Sequence, residues 1–121
     1  MKLNTLLAVL ALTCAGAASA ASMPAMEKDG MLVDAKGMTL YTYDKDTANM
    51  SACNGQCAEN WPPLMAESGA MAMQKWTVVK RQDGAMQWAY DGHPLYTFAK
   101  DTAPGQMTGD GKGGVWKMAK P

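Results

Sequence analysis

Short apolar and aromatic runs, separated by turns rich in glycine and aspartate, make up most of the chain after residue 30. Such runs predict strands, and they occur at Met31–Val33, Trp76–Lys80, Met86–Tyr90, 95–98 and 115–118. The Asp91-Gly92 pair between two of these runs is a strong hairpin signal. The segment 56–61, which two prolines end, predicts a short helical turn, and residues 70–74 are compatible with a short helix or a loop. The pattern is therefore that of a mostly β protein.

One part of the pattern occurs twice. Residues 37–48 align without a gap with residues 92–103, 55 positions later, and eight of the twelve aligned residues are identical. The same register pairs Trp61 with Trp116. A match of this length indicates internal duplication. We therefore predict a single small domain over residues 30–121, built from antiparallel strands in two pseudo-symmetric repeats at about 30–65 and 85–118, with short helical turns.

Each repeat contains an aromatic strand with two apolar faces. Side chains alternate along a strand, so Tyr41 and Tyr43 share one face while Leu40 and Thr42 share the other. We expect such strands to be buried on both sides. The aspartates that follow them, Asp46 in one repeat and its equivalent in the other, are expected in turns, where the carboxylate accepts backbone N–H groups. The glycine-rich stretch 105–114 is predicted to be an exposed loop.

The repeats also share a motif of the form Tyr-x-aromatic-x-x-Asp. The residues that fit it are Tyr41, Tyr43 and Asp46 in the first repeat and Tyr96, Phe98 and Asp101 in the second. With Cys53-x-x-x-Cys57 and Trp61-Pro62-Pro63-Leu64, they resemble the secreted repeat family of predicted bacterial lipoproteins that carries the Tyr-x-(Phe/Trp/Tyr)-x-x-Asp motif. The resemblance implies a bacterial, extracytoplasmic setting. It implies no activity, because the family is one of unknown function.

The N-terminus reads as an export signal. Residues 1–20 carry Lys2, an apolar run of about ten residues and the small-x-small sequence that ends at Ala20. The run is about half the roughly 20 residues that a membrane span needs. Lipid attachment at Cys14 is disfavoured, because the residues before this cysteine fit a lipoprotein signal poorly. We expect a periplasmic or extracellular protein whose residues 21–29 form a flexible segment.

Charge excludes one class of partner. Without Lys2 the chain has ten basic and eleven acidic residues, and the basic residues form no stripe along the sequence. Nucleic acid binding is therefore disfavoured. A metal ion or another envelope protein remains as a partner, and the sequence does not predict an oligomeric state.

Cys53 and Cys57 remain as a pair once the signal is removed. An even pair of cysteines in an oxidising compartment predicts a disulfide. The alternative is a thiol-disulfide redox or electron-transfer role. The spacing of three residues differs from that of thioredoxin-type pairs, and no histidine follows Cys57 as haem attachment would require.

Methionine is the second candidate for chemistry. Met23 with Met26, and Met71 with Met73, bring thioethers close together in segments that the sequence predicts to be exposed. Soft thioethers favour Cu(I), and His93, the only histidine, or the cysteines Cys53 and Cys57 could join them as ligands. The alternatives are core filling, which suits Met31, Met38 and Met86, and a turn role for His93.

The remaining candidates are structural. The four tryptophans and four tyrosines of so small a β domain are expected to form its core. No nucleophile-and-base set and no phosphate loop is evident. The sequence therefore favours a binding or structural module over an enzyme, with copper as the candidate cofactor.

Overall fold

The computed structural model describes residues 24–121. The predicted signal peptide, Cys14 and Met23 lie outside the described residues. The elements, in chain order, are β1 (Met26–Lys28), β2 (Met31–Val33), β3 (Tyr41–Tyr43), α1 (Gln56–Asn60), β4 (Trp76–Lys80), β5 (Met86–Tyr90), β6 (His93–Pro94), a 3-10 turn (Lys112–Gly114) and β7 (Trp116–Met118).

The strands form three small antiparallel sheets, with the orders β1-β2, β3-β7 and β4-β5-β6. The sheet β3-β7 joins the two repeats, since it pairs Tyr43 with Trp116. Isolated bridges extend the connections between sheets, above all the bridge between Tyr41 and Tyr96. The prediction of a mostly β domain with antiparallel strands and a short helical turn is confirmed.

The two faces of the motif strands contribute to two separate cores, as the alternating pattern predicts. Leu40 and Leu95 pack in the first core, with Trp76 and Trp88. Tyr41 and Tyr96 point to the opposite side and pack in the second core, which also contains the disulfide. The motif segments are therefore the shared wall between the cores, and both of their faces are buried.

Two segments differ from their predicted form. Residues 95–98 do not make a continuous strand, because successive backbone groups bond to different neighbours: Leu95 to Trp88, Tyr96 to Tyr41 and Thr97 to Pro62. The segment 21–29, expected to be flexible, contains β1, which pairs with β2 through Met26↔Val33 and two further residue pairs. A tight turn with positive φ at Asp29 and Gly30 makes this pairing feasible.

Candidate functional site

Four aromatic rings form one continuous stack in the second core. Trp61 and Trp116 lie at its centre, with ring centroids 3.8 Å apart and planes that differ by 4°. Phe98 continues the stack beyond Trp61 at 4.1 Å, and Tyr43 continues it beyond Trp116 at 4.2 Å. Each ring comes from the opposite repeat to its neighbour. The pseudo-twofold relation between the repeats therefore runs through the stack, between its two tryptophans.

The two remaining motif tyrosines pack edge-on against the centre of the stack. The centroid of Tyr41 lies 5.3 Å from that of Trp61, and the centroid of Tyr96 lies 5.2 Å from that of Trp116. The backbones of the two tyrosines exchange hydrogen bonds, with N···O distances of 2.7 and 3.0 Å. These tyrosines are fully buried. Their hydroxyl groups therefore need partners inside the protein.

Each tyrosine finds that partner in the aspartate of the other repeat. The Tyr41 hydroxyl donates to Asp101 Oδ2 at 2.6 Å, and the Tyr96 hydroxyl donates to Asp46 Oδ2 at 2.6 Å. The other carboxylate oxygen accepts backbone N–H groups, from Ala52 for Asp46 and from Thr108 for Asp101. The predicted aspartate turns are therefore present, and the carboxylates also lock the two repeats together.

Burial shifts the titration of these groups. Desolvation, and then the hydrogen bond to a carboxylate, raise the pKa of Tyr41 and the pKa of Tyr96 well above the usual range. Desolvation also raises the pKa of Asp46, against the hydrogen bond from Tyr96. Asp101 is held differently, because its Oδ1 accepts from both the N–H and the Oγ1 of Thr108, at 3.0 and 2.5 Å. The two pairs are alike in geometry but differ in the number of hydrogen bonds that the carboxylate accepts, which is two for Asp46 and three for Asp101.

A buried arginine lies beside the Tyr96 pair. Arg81 donates from Nη1 to Gln87 Oε1 at 2.7 Å and from Nη2 to the Cys53 carbonyl at 2.6 Å. Nη1 also reaches Ser51 Oγ at 3.1 Å, and the Ser51 hydroxyl lies 2.6 Å from that of Tyr96. The Tyr96 hydroxyl already donates its hydrogen bond to Asp46, so it accepts in its contact with Ser51, and the Ser51 hydroxyl donates. One hydrogen-bonded network therefore connects Arg81, through Ser51 and Tyr96, to Asp46.

The disulfide is formed between Cys53 and Cys57. Cys53 is fully buried and Cys57 is half-buried, and both pack against the aromatic stack. The bridge closes the loop that leads into α1, and the Cys53 carbonyl accepts from Arg81. This arrangement fits a bridge that shapes one loop. The second repeat holds Asp101 without such a bridge, through Thr108.

The match to a family model decides the family of this chain. A model described as a secreted repeat of unknown function matches twice, over residues 24–65 and 77–120. The chain belongs to this secreted-repeat family. No curated protein and no solved structure matches the chain. The two matched segments contain the two predicted repeats, and membership fits an exported protein. Within residues 24–121 no helix is long and apolar enough to cross a membrane.

The methionines of this secreted repeat dominate its exposed apolar surface. In the described part of the chain the large hydrophobic side chains that are exposed are all methionines, with exposed fractions from 45% to 76%: Met26, Met50, Met65, Met71 and Met107. Met73 is half-buried, packs against the first core and shares backbone hydrogen bonds with Trp76. Exposure is therefore confirmed for Met26 and Met71, whereas Met73 is partly committed to packing.

One cleft lies beside Met26 and beside the segment that follows Met73 in the chain. Its lining includes Met26 and Glu27, and also Gln74 and Lys75. The exposed His93 lines an adjacent pocket, which shares Lys75 and three further residues with this cleft. Among residues 24–121, no group of three or more His, Cys, Asp or Glu side chains is arranged to hold a metal ion. A metal site here would therefore depend on thioethers.

Sequence reasoning did not single out several residues of the network. Arg81 lies two residues after the buried Val79 and so on the same face of the β4 segment, a spacing that could have marked it as an interior residue. Gln87 lies between two apolar residues in a strand buried on both faces, which could have marked it as an interior polar group. Ser51 carried no comparable signal, and neither did Gly109, whose N–H donates to the Tyr41 hydroxyl at 3.3 Å, because loops bring both residues to the site.

Proposed function

We propose that this chain is an exported, non-catalytic module that binds Cu(I) through thioethers, with the exposed Met26 and Met71 and the half-buried Met73 as the central ligands. One observation carries the proposal: the large hydrophobic side chains on the described surface are all methionines. An apolar side chain that stays exposed in the folded protein contributes no hydrophobic stabilisation, so burial does not explain its presence. A methionine in such a position offers sulfur, a soft ligand that Cu(I) prefers.

The cleft beside Met26 supports this choice of ligands. Residues 74–76 also line this cleft, and Met73 and the exposed Met71 precede them directly in the chain. Met23 lies three residues before Met26 in sequence, and His93 lines the neighbouring pocket, so both are proposed as additional ligands. Cys53 and Cys57 are excluded as thiolate ligands while they form a disulfide. The site is thus built from thioethers with one imidazole nearby.

A non-catalytic role also agrees with the interior of the protein. The carboxylates of Asp46 and Asp101 are both engaged by tyrosine hydroxyls and backbone N–H groups. Groups held in this way stabilise the fold and are withdrawn from acid–base chemistry on a substrate. We also propose a periplasmic or cell-envelope location, with cleavage after Ala20. Mass spectrometry of the native protein would show its N-terminus and any lipid.

An anaerobic competition titration against a Cu(I) chelator tests the proposal. We expect micromolar or tighter binding by the wild type, and loss of that binding when Met71 and Met73 are both changed to leucine. The matched control is Met107→Leu, since Met107 is also exposed but lies in the loop that holds Asp101. Binding weaker than micromolar, or equal binding by all three proteins, would overturn the proposal.

A second candidate is thiol-disulfide or electron-transfer chemistry at Cys53 and Cys57. The observation that favours it is the buried guanidinium of Arg81, which contacts the Cys53 carbonyl and would stabilise a nearby thiolate. The reduction potential of the pair separates the candidates. A value below about −300 mV indicates an inert structural bridge and would remove this candidate, whereas a higher value would support it.

A further inference from the structure

The aromatic stack and the two tyrosine–aspartate pairs take no part in metal binding. Tyr43, at one end of the stack, is half-buried and is the point at which the stack is accessible from solvent. From there the rings run inward to Trp116 and Trp61, with centroid distances of 4.2 and 3.8 Å. Each tryptophan contacts a tyrosine whose hydroxyl donates to a carboxylate. This is a connected path from the surface to two buried phenols.

The central pair is arranged for ring overlap. Aromatic pairs gain most in offset or edge-to-face arrangements, because the ring quadrupoles repel in a face-to-face sandwich. Trp61 and Trp116 are almost parallel, with centroids only 3.8 Å apart. Such overlap is less favourable electrostatically than an offset or edge-to-face arrangement. It also spreads a positive charge over two indoles when one of them loses an electron.

Each phenol has a base in place for its proton. A phenol that loses an electron becomes a strong acid, and the carboxylate oxygen at 2.6 Å can accept the proton without any movement of heavy atoms. Asp46 is the better acceptor of the two, because the Oδ1 of Asp101 already accepts two hydrogen bonds from Thr108. Desolvation by burial also raises the pKa of Asp46.

We propose that the stack of Tyr43, Trp116 and Trp61 is a one-electron relay that traps an oxidising equivalent on Tyr96. The oxidant is a one-electron oxidising radical of the nitrogen dioxide or carbonate radical class. It takes one electron through Tyr43 and Trp116 and is reduced to nitrite or carbonate. Tyr96 supplies that electron, its O–H bond breaks, and the proton bonds to Asp46 Oδ2. The products are a neutral tyrosyl radical and a neutral carboxylic acid, and one electron from a reductant reverses both changes.

Burial makes Tyr96 suitable as the end of the path. Its ring is fully buried and its oxygen is enclosed by Asp46 and Ser51. A radical held there cannot meet a second radical and couple with it. The Tyr41 pair provides the equivalent site in the other repeat, but its carboxylate is the poorer proton acceptor.

Photochemical oxidation of the copper-free full-length mature protein tests the proposal. Tris(bipyridine)ruthenium(III), generated by a laser flash, is the oxidant, and transient absorption and electron paramagnetic resonance detect the tyrosyl radical. We expect a long-lived tyrosyl radical in the wild type, most of which is lost in Tyr96→Phe. The matched control is Tyr90→Phe, since Tyr90 packs against Trp76 in the other core, and it should keep the full signal.

Asp46→Asn should keep the tryptophan radical but slow the formation of the tyrosyl radical and remove its solvent isotope effect. If Tyr96→Phe fails to fold, the wild type itself still gives an answer. In deuterated solvent, pulsed electron–nuclear resonance should detect two strongly coupled deuterons, one in the hydrogen bond from Ser51 and one in the hydrogen bond to Asp46. A signal that survives Tyr96→Phe, or a wild-type radical without the deuteron of the hydrogen bond to Asp46, would overturn the proposal. Because no copper is present, neither result bears on Cu(I) binding.

Discussion

Tyr41 donates its hydroxyl proton to Asp101, a residue 60 positions later in the opposite repeat, at an O···O distance of 2.6 Å. The pair is buried, and the equivalent pair of Tyr96 and Asp46 runs in the reverse direction at the same distance. Each repeat therefore satisfies the polar group that the other one buries. Each hydrogen bond of the shared motif joins a tyrosine of one repeat to an aspartate of the other, so neither repeat can form it alone.

Removal of the Tyr41 hydroxyl should destabilise the protein clearly. Tyr41→Phe keeps the ring in the second core but leaves the buried Asp101 carboxylate without one donor. We expect a loss of about 1–3 kcal/mol in the free energy of unfolding, measured by urea denaturation. A double-mutant cycle with Asp101→Asn should show coupling, since the two side chains share one hydrogen bond. An effect no larger than that of Tyr90→Phe would contradict this account.

The same tyrosines should make the fold sensitive to alkali. The pKa values of Tyr41 and Tyr96 are raised in the folded protein. Tyrosines of the unfolded chain have a pKa of roughly 10. The stability that the two groups contribute is therefore complete below about pH 10 and is lost as the pH rises towards the folded-state pKa. Each group should account for a decline of roughly 1.4 kcal/mol per pH unit in that window.

Denaturation at a series of alkaline pH values measures this decline. Tyr96→Phe should remove about half of the part that the two tyrosines cause, since one of two similar groups is gone. The absorbance of tyrosinate provides an independent check, because Tyr41 and Tyr96 should ionise only when the protein unfolds. A profile for Tyr96→Phe with the same slope as the wild type would show that burial of this hydroxyl does not govern alkaline stability.

Local sequence patterns predicted the frame of the fold because they depend on neighbouring residues. Strands β2, β4 and β5 coincide with short runs bounded by turn residues, and α1 ends just before Pro62-Pro63. The alternation in the motif strands predicted burial on both faces, which the two cores confirm. The segment 95–98 failed as a strand for a non-local reason, since its partners come from three different parts of the chain.

The chemistry of the interior was less accessible from the sequence. The turn role of Asp46 and Asp101 followed from their position after a strand, but their tyrosine donors are 50 and 60 residues away. No periodicity reports a contact of that kind. The same holds for Gly109, which the sequence placed in an exposed glycine-rich loop. It is buried against the aromatic stack instead.

Gly109 should not tolerate even one additional methyl group. A Cβ atom there would lie 2.6 Å from Cη2 of Trp61 and 3.0 Å from Cδ2 of Phe98. Trp61 has little room to shift, because Phe98 and Trp116 stack against its two faces. We expect Gly109→Ala to cost about 1–3 kcal/mol, as overpacked cores do, and to change the near-ultraviolet circular dichroism of the stacked rings.

A glycine in the same loop provides the control for this substitution. Gly105 has open space around its Cα but a φ of 90°, so Gly105→Ala should cost roughly 1–2 kcal/mol through backbone strain. It should leave the near-ultraviolet spectrum unchanged. Equal spectra for the two variants would mean that Gly109 is not in contact with the stack.

Arg81 should stabilise the disulfide loop at least as strongly as the disulfide does. Arg81 is buried, with 6% of its surface exposed. Among residues 24–121 the salt bridge joins Lys117 and Asp44, so Arg81 forms none with the residues described. Its charge is therefore balanced by hydrogen bonds to neutral oxygens of Gln87, Ser51, Asn54 and Cys53 and by the nearby Asp46 carboxylate. Arg81→Met would leave the oxygens of Gln87 and Cys53 without their donor, and we expect a loss of about 3 kcal/mol from orphaned groups worth roughly 1–3 each.

Removal of the bridge by Cys53→Ser with Cys57→Ser should cost about 2 kcal/mol, because the loop that it closes is very short. The matched control for the arginine is Lys80→Met, since Lys80 is the adjacent basic residue in β4 and is exposed. It should change stability by less than about 0.5 kcal/mol. Urea denaturation of the three variants compares these costs directly. If Arg81→Met were as stable as the wild type, the interior would accommodate the two oxygens without a donor, and the arginine network would not be what holds the Cys53–Cys57 loop against the core.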